Sequence, residues 1–326
     1  MSRILEIKLT PGERKQINGL IDWAVNEFQY EDENSFYSSV RSISYDLPKR
    51  LKLIFHEFKH LENYNAIIVR NNLAEEILET PQDYREFHHV NFYKSDVLQA
   101  LYAGLVGDVF SFRFQRDGHM YNSIIPLKKF EKIKKHSSGS KYDFDFHTED
   151  AFHQFRPDYL SLYCHRNDEK VPTTISCIET ANLNSKYASL LFEPLYFIEG
   201  NAQHEVSADF YTKQPILFGD IRSPYIKVNL NALNISNYQK NTQDALKYLI
   251  SMLKQNSTDV MLETGDCIFI DNLRTVHRRR KFIPIYGSNA RWLTRVIVTN
   301  DLRKSVDYRV SSQSKIIELT PILKHL

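Results

Sequence analysis

The sequence contains little cysteine, and its few thiols are not arranged to cross-link a fold. Its 326 residues include three cysteines, and Cys164, Cys177 and Cys267 each lie in an apolar, strand-like run. A disulfide framework or a cysteine-based zinc cluster needs more thiols at closer spacing. We therefore predict three buried, reduced thiols that pack as small apolar side chains.

Excess charge of one sign and long apolar runs are also missing. The formal net charge is +2, which is too small to indicate binding to nucleic acid or to an anionic membrane. The basic run over residues 128–135 is interrupted by Phe130, Glu131 and Ile133, as in a solvated helix face or loop. No apolar run reaches the length of a membrane span, and the first residues do not follow a signal-peptide pattern. We expect a cytoplasmic protein that binds a small molecule, and neither nucleic acid nor a membrane; the oligomeric state is not predicted.

Internal repeats, low-complexity linkers and a glycine-rich phosphate loop are absent as well. The composition, 42% hydrophobic and 25% charged, is that of a globular protein. Length alone would allow two domains, but β-rich folds of this length often form one. We predict a single domain over residues 1–326, in which a mostly helical part, 1–107, flanks a core over 108–305.

The first third of the chain has helical periodicity. Thr10, Pro11 and Glu13 match a capping box with proline at the first helical position. Further helices are predicted from about Pro48 and over 95–106, with a short buried strand over 66–69. No catalytic constellation precedes residue 108, so we expect these elements to pack against the core.

Short alternating segments with turn residues between them follow. They cover residues 109–114, 143–147, 159–164, 174–178, 194–198, 216–218, 225–230, 267–270 and 291–299. This spacing is typical of an antiparallel sandwich or barrel, so the predicted fold class is mainly β with flanking helices. One helix, near 242–254, interrupts the series. The polar stretches 115–141 and 199–211 are expected to be loops, either plain surface loops or loops that carry binding contacts.

One segment carries two metal-ligating side chains. His147 and Glu149 end an alternating run, and residues two apart on a strand project from the same face. His277 is the candidate for a third ligand. Two histidines and one carboxylate on one side of a metal are the arrangement of non-haem Fe(II) oxygenases. A His-x-Glu pair alone is weak evidence, because a strand end with a surface histidine and a solvated glutamate has the same pattern.

Two arginines follow the distal histidine. Arg291 and Arg295 are four residues apart on a predicted strand, so they share a face and lie about 13 Å apart. Two guanidiniums on an inward face are costly unless anions pair with them, and arginine binds a carboxylate bidentately. Alternatively, both lie on the outer face of the sheet.

Together, the segments around His147-Thr148-Glu149, Asp271-Asn272…His277 and Arg291…Arg295 resemble the clavaminate synthase-like Fe(II)/2-oxoglutarate oxygenases, which include hydroxylases of free arginine, lysine and asparagine. The resemblance covers roughly residues 105–305. It implies a double-stranded β-helix (jelly-roll) core and a reaction that uses Fe(II), 2-oxoglutarate and O₂.

The resemblance also implies a role for each residue of the site. His147, Glu149 and His277 would be the catalytic metal ligands. Arg291 would hold the far carboxylate of 2-oxoglutarate, together with Thr174 or Thr173, of which only one can face inward. Arg295 would hold the substrate α-carboxylate and Glu149 would also touch its amine. Ser137 and Gln115 would be further substrate contacts.

The sequence departs from the family in one respect. Family members that hydroxylate arginine clasp the guanidinium with two aspartates, whereas this chain offers Asn229 and Asn231 as its candidate substrate contacts. Asparagine does not neutralise a cation, which argues against arginine as the substrate. Lysine, held by other acids, is our first choice among free amino acids, and asparagine and citrulline are neutral alternatives. A carrier-tethered amino acid, desaturation in place of hydroxylation, and a non-catalytic β-sandwich that binds a ligand also stay open.

Overall fold

The computed structural model describes residues 3–28, 32–72, 79–83, 93–134, 136–178, 183, 185–200 and 212–322. The helices are α1 Pro11–Glu27, α2 Glu33–Ile43, α3 Lys49–His60, α4 Lys94–Val106, α5 Ser185–Phe192 and α6 Lys240–Gln255. The strands are β1 Ile4–Lys8, β2 Ala66–Arg70, β3 Asp108–Phe112, β4 Asn122–Ile124, β5 Phe144–His147, β6 Tyr159–Arg166, β7 Thr173–Cys177, β8 Tyr196–Phe197, β9 Lys213–Gln214, β10 Leu217–Phe218, β11 Tyr225–Ile226, β12 Thr258–Val260, β13 Cys267–Asp271, β14 Thr275–Arg279, β15 Trp292–Thr299 and β16 Ile316–Ile317.

Two sheets form the centre of the protein. The larger sheet has eight strands in the order β1-β2-β13-β6-β15-β3-β16, with β4 also paired to β15, and the smaller sheet has the order β12-β7-β14-β5. The pairs β1–β2 and β3–β16 are parallel, and the other pairs of these sheets are antiparallel. Leu160 and Ile268 of the large sheet belong to one buried apolar cluster with Ile175 and Val260 of the small sheet. The two sheets therefore face each other across an apolar layer, as the predicted β-rich class requires.

The first part of the chain does more than flank this core. The parallel pair β1–β2 extends the large sheet, because β2 pairs with β13. β2 was predicted from the sequence, but β1 was not, because its alternation is short and ends in lysine. Helices α1 to α4 cover the other face of the large sheet, where Phe55 and Leu101 join a buried cluster with Tyr163 and Phe269.

Helix α1 begins as predicted. The Thr10 hydroxyl accepts a hydrogen bond from the Glu13 amide at 3.2 Å, and the Glu13 carboxylate accepts one from the Thr10 amide at 2.9 Å. Helix α2 was missed, because it buries only Phe36, Tyr37 and Val40 and most of its other residues are polar. Its N-cap, Asp32, accepts hydrogen bonds from two following amides, a signal that sequence inspection could have used.

Helix α6 covers the outer face of the small sheet. It was predicted over 242–254 and begins two residues earlier and ends one residue later. Leu246 and Leu249 pack in a cluster that includes Phe146 of β5 and Val276 of β14. Because neighbouring residues of a strand point to opposite faces, the burial of Phe146 and Val276 under α6 turns His147 and His277 toward the large sheet.

Two predictions on composition can be compared with the structure. Cys164, Cys177 and Cys267 are free and buried, which confirms the prediction of unpaired thiols in the interior. Within the described ranges, no helix combines the length and the apolar character that crossing a membrane would demand.

Candidate active site

The two predicted histidine ligands meet because their strands are neighbours. His147 ends β5 and His277 lies in the middle of β14, and the two residues are direct cross-strand partners in the antiparallel pair. Their ring centroids are 4.2 Å apart. Residues 130 positions apart in sequence thus present their imidazoles on one face of the small sheet.

Glu149 completes the cluster from just beyond the strand. β5 ends at His147, so the predicted extension of the strand to Glu149 is wrong, and Glu149 lies in the turn that follows. Its Oε2 is 4.0 Å from His147 Nε2 and 3.6 Å from His277 Nε2. One potential ligand atom from each of the three residues lies within 4.8 Å of the others.

Both imidazoles are prepared to act as ligands. Burial lowers the pKa of His147, and burial followed by the neighbouring His147 lowers the pKa of His277 to about 3. Both rings are therefore neutral at pH 7, the form that binds metals. His147 Nδ1 donates to the Asp145 carbonyl oxygen at 2.8 Å, which leaves the lone pair of Nε2 toward the cluster. The donor set and its spacing fit a divalent metal ion such as iron.

Asn272 holds the backbone of Glu149. Its side-chain oxygen accepts from the Glu149 amide at 2.7 Å, and its Nδ2 donates to the Glu149 carbonyl oxygen at 3.1 Å and to that of Pro157 at 2.8 Å. Asn272 is fully buried. Asn272 belongs to a predicted motif but no role was predicted for it, because an asparagine before a turn looks the same as a turn residue.

Arg295 connects Glu149 to a second polar group. One guanidinium nitrogen donates to Glu149 Oε1, and another donates to Gln115 Oε1 at 3.0 Å. Gln115 in turn donates to Asp150, a buried carboxyl whose pKa is raised by burial and then by the charge of Glu149. Glu149 therefore directs one oxygen to the histidines and the other to Arg295. Asp150 was not singled out from the sequence.

Arg291 lies at another part of the same cavity. It is 4% exposed, and its Nε donates to Asn167 Oδ1 at 3.1 Å. Burial lowers its pKa. Arg291, Leu293 and Arg295 alternate along the start of β15 and all line the cavity, so the two arginines share an inward face and do not lie on the outer face of the sheet.

The structure also decides between the two threonines. Thr173 lines the cavity, whereas Thr174 points the other way and its hydroxyl donates to Asp259 Oδ1 at 2.6 Å. The alternation of side chains along β7 allows only one of them to face inward. The prediction that Thr174 contacts the cofactor is therefore wrong, and Thr173 is the candidate.

The cavity contains most of the predicted contacts. The described residues that line it are Gln115, Arg116, Asn122, Ile124, His136, Ser137, Phe144, His147, Glu149, Leu160, Leu162, Thr173, His277, Arg278, Arg279, Arg291, Leu293 and Arg295. Ser137 and Gln115, predicted as substrate contacts, are among them. Most of the predicted loop over 199–211 lies outside the described residues.

Asn229 and Asn231 do not line this cavity, so the prediction that they contact the substrate is wrong. Asn231 Nδ2 donates to the Asp145 carbonyl oxygen at 3.1 Å and its Oδ1 accepts from the Asp145 amide at 2.7 Å. Asn229 donates to the Glu199 carbonyl oxygen at 2.8 Å. Asn231 therefore supports the backbone of β5, whereas Asn229 holds the backbone at Glu199.

Known proteins resemble this chain in sequence and in structure. The family model "Taurine catabolism dioxygenase TauD, TfdA family" matches residues 201–297. The enduracididine beta-hydroxylase of Streptomyces hygroscopicus is 26% identical, covering 96% of this chain and 100% of the relative. The L-ornithine/L-arginine 3-hydroxylase of Catenulispora acidiphila is 26% identical, covering 91% of this chain and 95% of the relative.

A solved structure agrees with these relatives. The non-heme iron oxygenase OrfP, in complex with Fe and alpha-ketoglutaric acid, superposes with a TM-score of 0.87 at 29% identity, covering 96% of this chain and 99% of that one. That structure holds a metal, which the cluster of His147, Glu149 and His277 would suit. It also holds a co-substrate with carboxylates, which the nearby arginines would suit. The chain is therefore similar over nearly its whole length to Fe(II)/2-oxoglutarate-dependent amino acid hydroxylases, and its residues 201–297 match the TauD/TfdA family.

Proposed function

We propose that the protein hydroxylates an unactivated carbon of a free L-amino acid. One observation carries this proposal: a His-Glu-His cluster shares a single cavity with two buried guanidiniums. The cluster suits the metal, and the guanidiniums suit the carboxylates of a co-substrate and of an amino acid. The names of the relatives give enduracididine, ornithine and arginine as their substrates, and all three are amino acids.

His147, Glu149 and His277 would hold Fe(II) on one side and leave its other positions open. The bound metal, with 2-oxoglutarate and O₂, supplies the oxidative chemistry that yields succinate, carbon dioxide and a hydroxylated product. The protein's contribution is to position the reactants and exclude water. The apolar side chains of Leu160, Leu162 and Leu293 in the cavity wall serve the second purpose.

Each of the two arginines would bind one of the two organic reactants. Arg291 and Thr173 would bind the far carboxylate of 2-oxoglutarate. Arg295 would bind the substrate α-carboxylate, because its guanidinium already bonds Glu149 and Gln115 beside the cluster. Glu149 and Ser137 would contact the substrate amine and the rest of its backbone, and fix the target carbon close to the metal.

We further infer that the two facing sheets form a double-stranded β-helix and that the chain is one domain. The antiparallel pairing within both sheets and their shared apolar layer support this inference. The contribution of β1 and β2 to the large sheet supports a single domain, because the helical part and the core share one sheet.

The charge of the cavity wall bears on which side chain the substrate carries. Lysine is the first choice from the sequence, but the described cavity wall contains five arginines and one carboxylate, Glu149, which Arg295 already engages. A lysine ammonium group would find no second carboxylate among these wall residues. A neutral side chain such as that of asparagine or citrulline avoids this repulsion, and this observation favours it as the second candidate.

A substrate panel tests the proposal. The protein with Fe(II), 2-oxoglutarate and O₂ is offered the twenty amino acids, citrulline and ornithine, and products are scored by mass. We expect one or a few to gain a single oxygen. Loss of two hydrogens would indicate desaturation, and turnover only of a carrier-bound amino acid would rule out a free substrate.

A second measurement separates an oxygenase from a binding protein. The variant His147→Ala should lose both metal binding and turnover. A non-catalytic β-sandwich should keep its affinity for the ligand in that variant, and this result would contradict the proposed function.

A further inference from the structure

A third buried guanidinium lies beside Arg291. Arg279 is on β14, two residues after His277, so both side chains project from the same face of the strand. It is 9% exposed and lines the same cavity as Arg291 and Thr173.

The register of the small sheet brings Arg279 to Thr173. The two residues are direct cross-strand partners in the β7–β14 pair, two pairs along from His277 and Ile175. Two residues along a strand span about 6.6–6.8 Å. This is close to the length of the carbon chain of 2-oxoglutarate, so a molecule that reaches the His277 end with its keto acid would bring its far carboxylate to the Arg279 end.

Burial dominates the electrostatics of the two guanidiniums at that end. Burial, and then the charge of Arg291, lowers the pKa of Arg279 to about 9, while Asp143 opposes this effect. Burial is also the largest cause of the lowered pKa of Arg291. Two like charges buried close together repel each other unless an anion lies between them.

Arg279 is also held in a fixed direction. One of its terminal nitrogens donates to the Gly139 carbonyl oxygen, and its guanidinium carbon lies 5.1 Å from the ring centroid of Phe282. The loop at Gly139 is tight, since an added Cβ would lie 3.0 Å from the Ile133 carbonyl oxygen and 3.1 Å from that of Phe130. The loop therefore anchors one edge of the guanidinium while the side chain borders the cavity.

We propose that Arg279 is a second anchor for the far carboxylate of the co-substrate, which it shares with Arg291 and Thr173. The proposal rests on the proposed function, because it assumes that 2-oxoglutarate occupies this end of the cavity. Arg279 would then contribute to the choice of a five-carbon diacid over a keto acid that lacks the second carboxylate. It is a binding residue for the co-substrate and takes no part in the bond changes.

The test compares two keto acids that differ at that carboxylate. Binding of 2-oxoglutarate and of 2-oxopentanoate to the Mn(II)-loaded protein is measured by titration calorimetry without oxygen. In Arg279→Met the affinity for 2-oxoglutarate should fall about tenfold or more, the worth of a charged hydrogen bond. The affinity for 2-oxopentanoate should change less than twofold.

The neighbouring Arg280 supplies a matched control. Its side chain is half exposed and its Nη2 pairs with Asp259 at 3.0 Å, so Arg280→Met should leave both affinities within twofold. The melting temperature without ligands and the Mn(II) affinity check that each variant is folded. If Arg279→Met does not fold, Arg279→Lys keeps the charge without the bidentate fork and should lose affinity for the diacid selectively, to a smaller extent.

The outcomes separate this inference from the proposed function. If the wild type binds 2-oxoglutarate no more tightly than 2-oxopentanoate, the proposed co-substrate pocket is wrong. If Arg291→Met loses the preference for the diacid and Arg279→Met keeps it, the pocket stands and the role of Arg279 is overturned. An equal loss for both keto acids in Arg279→Met would also overturn it, because the effect would then not involve the carboxylate.

Discussion

At the scale of single residues, the site depends on Glu149 having two different neighbours. One carboxylate oxygen faces His147 and His277, and the other accepts a hydrogen bond from Arg295. Because Glu149 lies in a turn and not in a strand, no sheet hydrogen bonds fix its backbone. The side chain of Asn272 performs that function.

Replacing this asparagine should therefore weaken metal binding. In Asn272→Ala the Glu149 amide and two carbonyl oxygens lose their buried partner. We expect the affinity for Co(II), measured by equilibrium dialysis, to fall about 10–100-fold, as for other outer contacts of metal ligands. The free energy of unfolding should fall by about 2 kcal/mol. The exposed Asn237 is the control, and Asn237→Ala should change neither quantity.

The two threonines of β7 provide a matched pair. Thr173→Val removes a hydroxyl from the cavity, and we expect KM for 2-oxoglutarate to rise about three- to tenfold, the worth of one hydrogen bond of about 1 kcal/mol. Thr174→Val removes the bond to Asp259, so it should lower stability by about 1 kcal/mol and leave KM unchanged. The reverse pattern in steady-state kinetics would mean that β7 presents its other face to the co-substrate.

At the scale of elements, the start of α1 links two helices by charge. Glu13 caps its own helix and accepts hydrogen bonds from Arg50 of α3 at 2.7 and 2.8 Å. The hydrogen bonds from Arg50 lower the pKa of Glu13 to about 2. The contact lies near the surface, where solvent screens such pairs.

The pH dependence of stability should follow from this contact. A carboxyl with a lowered pKa in the folded state stabilises the protein above its unfolded pKa, near 4.5, and loses that contribution as the pH falls toward about 2. Glu13→Gln should therefore be less stable than the wild type by about 1 kcal/mol at pH 7. The difference should shrink between pH 4.5 and 3 in urea titrations. Glu193→Gln, at an exposed position, should match the wild type at every pH.

At the scale of the whole molecule, the site lies between the two sheets. The small sheet supplies His147, His277 and Thr173, and β15 of the large sheet supplies Arg295, with Arg291 directly before it. A metal on the small sheet and a co-substrate that reaches the arginines would therefore connect both sheets. Ligand binding should then raise the stability of the complete fold.

Thermal unfolding can measure this connection. Mn(II) and 2-oxoglutarate are added together, each at about 100 times its dissociation constant. Binding of 2-oxoglutarate to the Mn(II)-loaded protein should by itself contribute about 2.7 kcal/mol to the free energy of unfolding. This corresponds to a rise of several degrees in Tm. 2-Oxoglutarate without metal should raise Tm much less. His277→Ala should abolish the joint effect, and a joint effect that persists in this variant would exclude His277 as a ligand.

The sequence by itself determined the features that depend on local patterns of residues, namely single strands, a helix cap and short motifs. Alternation in β5 and β15, the Thr10 cap and three ordered motifs were enough to predict a β-rich fold, the family resemblance, the three metal ligands, and the two arginines in and directly before β15. The comparisons confirm the resemblance to the family and the cofactors. The same patterns missed β1 and α2, whose apolar faces are too short to stand out without the elements that cover them.

Tertiary structure alone decided which of several similar side chains face the site. The sequence does not distinguish Thr173 from Thr174, or Asn229 from Asn231. A shift of one residue along a strand moves a side chain from the cavity to the opposite face of the sheet. The placement of Arg279 beside Thr173, and of Asn272 beneath Glu149, follows from pairing between distant segments. Such pairing depends on the packing of both sheets at once, which no local stretch of sequence contains.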